Sequence, residues 1–132
     1  MKQVDILGFD AVKESEVGFD LNMKSTDGTD TGIKFKVLGR HADVVQSFTK
    51  KWFAKLQREE IMAKKRGKAV ETDIEDLKQQ NIDSASVRVI GWENVTQPFT
   101  HELIKQVLVK NPHWVEAILE ASNEDANFTK PA

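Results

Sequence analysis

Two short stretches with the same alternation decide the fold: residues 19–24 read FDLNMK and residues 33–37 read IKFKV. In each stretch apolar and polar side chains alternate strictly, which is typical of a strand that buries one face. The segment between them, residues 25–32, consists of Ser, Thr, Asp and Gly, the residues of turns and loops. The pattern therefore predicts a β-hairpin over about residues 18–38.

A two-stranded sheet cannot bury enough apolar surface to be stable alone, so the hairpin needs a helical cover. Residues 42–66 contain neither Gly nor Pro, and their main apolar side chains fall within about a third of a helical wheel. These side chains are Val44, Val45, Phe48, Trp52, Leu56, Met62 and Ala63. We expect the long helix to pack this stripe on the hairpin, with Phe35 in the shared core.

A second helix is expected after the long one. Residues 72–75 read TDIE, which has the form of a capping box and predicts a helix over about residues 72–90. Its end stays open, because the apolar residues between positions 87 and 92 suit either a continued helix or a short buried segment. We expect helix as far as about Ile90.

Two shorter helices follow. Thr100 can cap a helix over about residues 101–110, and an Asn-Pro pair beginning at Asn111 starts a last helix over about residues 112–122. The remaining residues, 123–132, are polar with one exception and predict a flexible tail.

Together these segments predict an α+β fold, with the N-terminal hairpin packed on the long helix and a C-terminal group of short helices after it. A chain of 132 residues, of which 39% are hydrophobic and 30% charged, has the size and composition of one domain that buries its own core. We therefore expect a single domain over residues 1–122.

The composition excludes several classes of protein. The absence of cysteine rules out disulfide frameworks, thiolate metal sites and cysteine nucleophiles. No apolar run approaches the roughly 18 residues that a membrane helix needs. Residues 1–10 carry two aspartates and lack the basic start of a secretion signal. The cytoplasm is the compartment we expect.

No motif for catalysis or cofactor binding is found. His101 begins like a zinc-protease helix, but Lys105 occupies the place of the second histidine. The loop at residues 27–32 has carboxylates without the alternating ligands or the terminal Glu of a calcium loop. Phosphate-binding loops and nucleophile elbows are also missing. We therefore expect no enzyme activity, no metal and no cofactor, and a melting curve that a chelator leaves unchanged.

Charge is distributed unevenly along the chain, whose net charge is −2. Residues 1–70 hold 14 basic and 10 acidic side chains, while residues 71–132 hold 5 and 11. The basic side chains concentrate between Lys50 and Lys68. This segment suits a solvated helix face, a surface that docks to an acidic protein, or a nucleic-acid-binding surface. The acidic character of the whole chain disfavours nucleic acid.

Two apolar side chains of the long helix are left over by its core stripe: Phe53 lies at the edge of the stripe and Ile61 well away from it. Together with the neighbouring basic residues Lys50, Arg58 and Lys64, they form the candidate partner-binding set. The alternative is that Phe53 completes the core and Ile61 is a lone exposed residue, which is common in proteins.

The order of several short motifs resembles the tail assembly chaperones of siphophages, the long-tailed, lambda-like bacteriophages. A hairpin ending in VLGR at residues 37–40 precedes a long charged helix, and residues 89–95 read VIGWENV. Two further motifs, PFT at residues 98–100 and NPHW at residues 111–114, open the last two helices. In that family a strand runs into a Gly-Arg pair, and a Gly-Trp-Glu segment precedes a proline and a capped helix. The likeness extends over residues 19–121.

The resemblance implies a protein without enzyme activity that binds the phage tape measure protein, a long, helical and aggregation-prone chain, in the host cytoplasm. It implies that the protein keeps this chain soluble while tail tube subunits gather around it. We also expect self-association when no partner is bound. Members of the family are often made in a short and a frameshifted longer form, and this chain with its polar end looks like the short form.

Two functions of other classes stay open. A structural tail or head-tail connector protein would remain in purified phage particles, whereas a chaperone would be absent from them. A nucleic-acid-binding accessory protein would bind DNA or RNA with a steep dependence on salt concentration.

Overall fold

The computed structural model describes residues 3–67 and 74–129. The predicted α+β class is confirmed. The capping-box residues Thr72 and Asp73 lie outside the described residues. The elements in chain order are helix α1 (Ala11–Val17), strand β1 (Phe19–Lys24), strand β2 (Asp30–Val37), helix α2 (Asp43–Lys65), helix α3 (Ile74–Arg88), strand β3 (Val89–Glu93), helix α4 (His101–Lys110) and helix α5 (Pro112–Asn123), with 3₁₀ turns at Ile6–Gly8 and Asp125–Asn127.

The three strands form one antiparallel sheet in the order β1, β2, β3. Strands β1 and β2 make the predicted hairpin, in which Leu21 lies opposite Phe35. Strand β3 pairs with the other side of β2 and places Trp92 opposite Phe35. The alternation in β1 and β2 turns Met23, Phe35 and Val37 to one face, where all three are buried.

The end of α3 differs from the prediction. Helix α3 ends at Arg88, and Val89 and Ile90 begin a strand instead of ending a helix. Val89 is fully buried and lies opposite Val37. Pairing of two β-branched side chains across strands favours the extended conformation. A local sequence window could not identify this strand, because its partner is far away along the chain.

The helices that cover the sheet are α3, α4 and α5, so the prediction that the hairpin packs on the long helix is wrong. Trp114 attaches α5 to β1, because its Nε1 donates a hydrogen bond of 2.7 Å to the carbonyl oxygen of Lys24. The buried cluster consists of the sheet residues Met23, Phe35, Val37 and Val89 and the helix residues Ala85, Ile104, Leu108, Trp114, Val115 and Ile118.

The lengths of the elements explain why α4 and α5, and not α2, cover the sheet. Strand β1 has six residues and α5 has 12, so both are about 20 Å long. Helix α2 has 23 residues and extends about 35 Å. A helix of that length would overhang so small a sheet, whereas the pair of α4 and α5 matches it.

We call the sheet together with α1, α3, α4 and α5 the body of the protein. Helix α2 is attached to this body near the N-terminus of the helix. Val45 is its one buried residue and forms a small cluster with Leu38 and Ala42. Further along, α2 packs against α3, and the side chains from position 50 to position 65 are half-buried or exposed. Val44 and Met62 are both 47% exposed, so their assignment to the core stripe is wrong.

The segment between β2 and α2 is held by α1 and by the chain after α5. Gly39 donates a backbone hydrogen bond of 3.0 Å to the carbonyl of Ser15. A side chain at this position would force α1 to shift, because a Cβ atom on Gly39 would lie 2.5 Å from the Ser15 Oγ. The next residue, Arg40, places its Nη2 2.7 Å from the Oδ2 of Asp125.

The structure corrects the predicted flexible tail as far as Thr129. Phe128 is buried, and its ring contacts the ring of Phe19 edge-on at a centroid distance of 6.1 Å. The Nδ2 of Asn127 donates a hydrogen bond of 3.1 Å to the carbonyl of Ala121. One aromatic side chain and a set of polar contacts are enough to dock this otherwise polar segment.

Within residues 3–67 and 74–129, no helix combines the length and the apolar character that crossing a membrane requires.

Candidate partner-binding face of the long helix

Helix α2 brings four of the five predicted partner-binding residues to one side. At about 100° per residue, Lys50, Phe53, Ile61 and Lys64 fall within an arc of about 80°. We call these four residues the outer face of α2. Arg58 lies at its margin, about 60° beyond Ile61 on the same wheel.

The outer face is turned away from the packed side of the helix. The half-buried residues Trp52 and Leu56 point about 120° away from the middle of the outer face on the helical wheel. Phe53 is 58% exposed and Ile61 is 55% exposed. Phe53 therefore does not complete the core, which removes that alternative.

Phe53 and Ile61 form a pair at a spacing that suits a helical partner. They are separated by about two turns, which places their Cα atoms about 12 Å apart along the axis. A second helix lying beside α2 would present its own apolar residues every three or four positions, so two of its turns could contact both side chains.

The outer face is basic. Helix α2 carries six basic and three acidic side chains. Lys64 is paired with Glu60 at 3.7 Å, but both groups are mostly exposed and such pairs contribute little to stability. Within the described ranges, Lys50 and Arg58 make no ion pair, so their charges are available to carboxylates of a partner.

Another exposed apolar surface, which the periodicity of the sequence does not indicate, lies near the N-terminus. Val4, Ile6, Leu7 and Phe9 are between 70 and 88% exposed. We call residues 4–9 the N-terminal apolar segment. Asp5 accepts a hydrogen bond from the backbone N–H of Leu7 and shapes the 3₁₀ turn. The signal was present in the sequence as a cluster of apolar residues outside every predicted stripe.

Two shallow grooves lie elsewhere on the body. One, of about 440 Å³, runs between β1 and α5 and is lined by Phe19, Leu21 and Trp114 among others. The other, of about 510 Å³, lies between α3 and the junction of α4 and α5 and includes Ile82 and Val115. In the part of the chain that the structure describes, no group of three carboxylate or imidazole side chains is placed to hold a metal ion.

The comparison with protein families decides the identity. A family model described as phage tail assembly chaperone matches residues 11–128. The chain belongs to the phage tail assembly chaperone family. No curated protein and no solved structure matches it. The matched range contains all of α2 and ends at the docked Phe128, while the N-terminal apolar segment lies outside it.

In this chaperone the motifs that carry the resemblance have structural roles. In the Gly-Arg pair, Gly39 lies close to Ser15 of α1, and Arg40 forms an ion pair with Asp125. Trp92 donates from Nε1 to the carbonyl of Gln97 at 2.9 Å. Asn94 adopts a positive φ of 63° and donates from Nδ2 to the carbonyl of Gly32 at 2.9 Å. These contacts are all within the chain and hold its elements together.

Proposed function

We propose that this chaperone binds the phage tape measure protein in the host cytoplasm, keeps it soluble, and helps to recruit tail tube subunits during tail assembly. The observation that carries the proposal is α2, a helix of 23 residues that is buried at its start and displays apolar side chains on a basic outer face. A binding role of this kind needs no catalytic group and no cofactor.

The client's chemistry fits the outer face. A long helical chain that has not yet been surrounded by tube subunits exposes apolar stripes, and these stripes cause aggregation. Phe53 and Ile61 offer two apolar contacts for one such stripe, in the manner of a helix laid on another helix. Lys50 and Arg58 would attract carboxylates beside the stripe and orient the client.

The contact must also be reversible, because a chaperone has to release its client to the growing tube. Two large apolar side chains with charged neighbours give a small interface, well below the roughly 800 Å² per partner of a standard stable complex. Several copies along one client would compensate for weak individual contacts.

Recruitment of tube subunits would use the body of the protein. Strands β1 and β3 are the two edges of the sheet, and edge strands present backbone groups that can pair with another chain. The tape measure protein on α2 and the tube subunit on the body would then be bound at different places.

Co-expression with the tape measure protein tests the proposal. We expect the Phe53→Ala/Ile61→Asp variant to leave the client insoluble, because it removes both apolar contacts and adds a charge. Val109→Asp is the matched control: Val109 on α4 is also 58% exposed, and its substitution should keep the client soluble. A client that stays fully soluble with the double variant would contradict the assignment of α2.

Purified phage particles test the class of function. A chaperone leaves before the particle is complete, so an antibody against this chain should find it in infected cells and not in particles. Its presence in particles at the copy number of a tail component would favour the structural alternative.

A further inference from the structure

Several large apolar side chains of the described residues are exposed, and two groups of them, the N-terminal apolar segment and the outer face of α2, stand beside charges of opposite sign. The N-terminal apolar segment is followed by α1, and residues 3–17 contain four acidic side chains and one basic one. The outer face of α2 is basic. Four apolar side chains that are each at least 70% exposed within six residues are unusual for a surface that stays in water.

We infer that the N-terminal apolar segment of one copy docks on the outer face of α2 of a second copy. The inference rests on the proposed function, because it assigns a resting occupant to the same face that binds the client. Leu7 and Phe9 would take the places of the client's apolar residues against Phe53 and Ile61. Asp5 would take the place of its carboxylates.

Charge selects this face over the grooves of the body. The groove between β1 and α5 has Glu120, Glu124 and Lys24 on its lining, and the groove beside α3 has Glu75, Glu116 and Lys78. In both grooves carboxylates outnumber lysines, so an acidic segment is attracted there less than to the basic face of α2. On α2 the same segment meets Lys50 and Arg58. Like charges placed together across an interface are a means of rejecting wrong partners.

The contact is head-to-tail, since a segment of one copy binds a different surface of the next. Such contacts propagate into open chains or close into rings. A segment of six residues buries much less than a stable dimer interface, so the association is weak and depends on concentration. A client with a longer apolar stripe would displace it.

Complementation between two defective variants tests this arrangement. Leu7→Ser/Phe9→Ser destroys the segment but keeps the α2 face, while Phe53→Ala/Ile61→Asp destroys the face but keeps the segment. All four side chains are exposed, so neither variant should unfold, and a thermal melt checks this. Sedimentation velocity from about 1 μM to about 1 mM covers the range in which weak contacts dissociate.

We expect the wild type to associate with rising concentration, and each variant alone to associate about ten-fold or more weakly. An equimolar mixture should form heterodimers that stop at two copies, because it contains one intact segment and one intact face that can meet. A mixture that stays monomeric overturns the inference, and so does a wild type that is monomeric throughout. Concentration-independent compaction of the wild type would mean that the segment folds back on its own chain, which also overturns it.

Client solubility separates this inference from the proposed function. The Leu7→Ser/Phe9→Ser variant keeps the α2 face and should solubilise the tape measure protein at the same or a lower dose than the wild type. If complementation succeeds while the Phe53→Ala/Ile61→Asp variant still solubilises the client, the docking holds and the client site lies elsewhere. If complementation fails while that variant loses the client, the proposed function stands without the docking.

Discussion

The ring of Trp114 contacts the ring of Phe35 edge-on, with their centroids 5.5 Å apart. The ring of Trp92 lies 5.9 Å from the same phenylalanine. Through Phe35, strand β2 therefore contacts both its neighbouring strand and the helix that covers the sheet. Edge-to-face aromatic pairs add to the free energy gained from apolar burial alone.

Phe35→Ala should lower the free energy of unfolding by about 3–5 kcal/mol, as large-to-small substitutions in a core do. Phe35 is 1% exposed. The matched control is Phe53→Ala, which removes the same side chain from an exposed site and should cost no more than about 0.5 kcal/mol. Urea unfolding of both variants measures the difference, and equal costs would contradict this account of the core.

The hairpin could be predicted from sequence because alternation is a local property of β1 and β2. The helix that covers it could not, because the stripes on α2 and on α5 are both plausible and only the length of the sheet selects between them. Strand β3 was missed for a related reason: Val89 is placed by a partner strand that is distant in sequence.

The candidate site was predictable only in part. Phe53 and Ile61 stand out because they fall off the apolar stripe of α2, and periodicity detects such residues. The N-terminal segment can be seen in the sequence as a cluster of apolar residues outside every predicted stripe, but its exposure cannot be predicted, because an apolar residue such as Leu7 looks alike in sequence whether it is buried or exposed.

Gly39→Ala should destabilise the protein by about 1–3 kcal/mol, the usual cost of forcing extra volume into a packed site. The new Cβ would lie 2.5 Å from the Ser15 Oγ and 2.8 Å from its Cβ, so α1 would have to move. Gly91→Ala is the control, since a Cβ there meets nothing within 4 Å. Thermal melts that shift equally for both variants would argue against a close approach of α1.

Ser122→Ala should cost about 1–3 kcal/mol, because it removes the hydrogen-bond partner of a buried charged donor. The Nε of Arg88 donates to the Ser122 Oγ at 2.9 Å, and burial lowers the pKa of the Arg88 guanidinium, which stays charged in proteins. Ser47→Ala on the exposed side of α2 serves as the control. A stability loss no larger than that of the control would show that Arg88 finds another partner.

The docking of the segment after α5 should weaken in acid. The hydrogen bond from Arg40, assisted by His41, lowers the pKa of the Asp125 carboxyl below its ordinary value of 3.8. Because the folded-state pKa is the lower one, the contact stabilises docking above the ordinary value and is lost as the pH falls through the depressed value. The protection factors for hydrogen exchange at Phe128 and Thr129, which correct for the slower intrinsic exchange of amides in acid, should therefore fall below about pH 4. Asp125→Asn should exchange faster already at neutral pH, and equal protection of the two proteins there would refute the role of this ion pair.

Salt should separate the two components of client binding on α2. Lys50→Glu/Arg58→Glu reverses two charges and should slow association with the tape measure protein, an effect that fades as salt rises, since screening removes long-range attraction. Phe53→Ala removes an apolar contact and should instead speed dissociation at all salt concentrations. Surface plasmon resonance with an immobilised client fragment measures both rates across a salt series.

The same instrument with immobilised DNA or RNA addresses the nucleic-acid alternative, for which wild-type affinity would fall steeply with salt. If the charge variant loses nucleic-acid binding and keeps its full association rate with the client, the basic residues of α2 serve nucleic acid, and client binding on this helix depends on Phe53 and Ile61 alone.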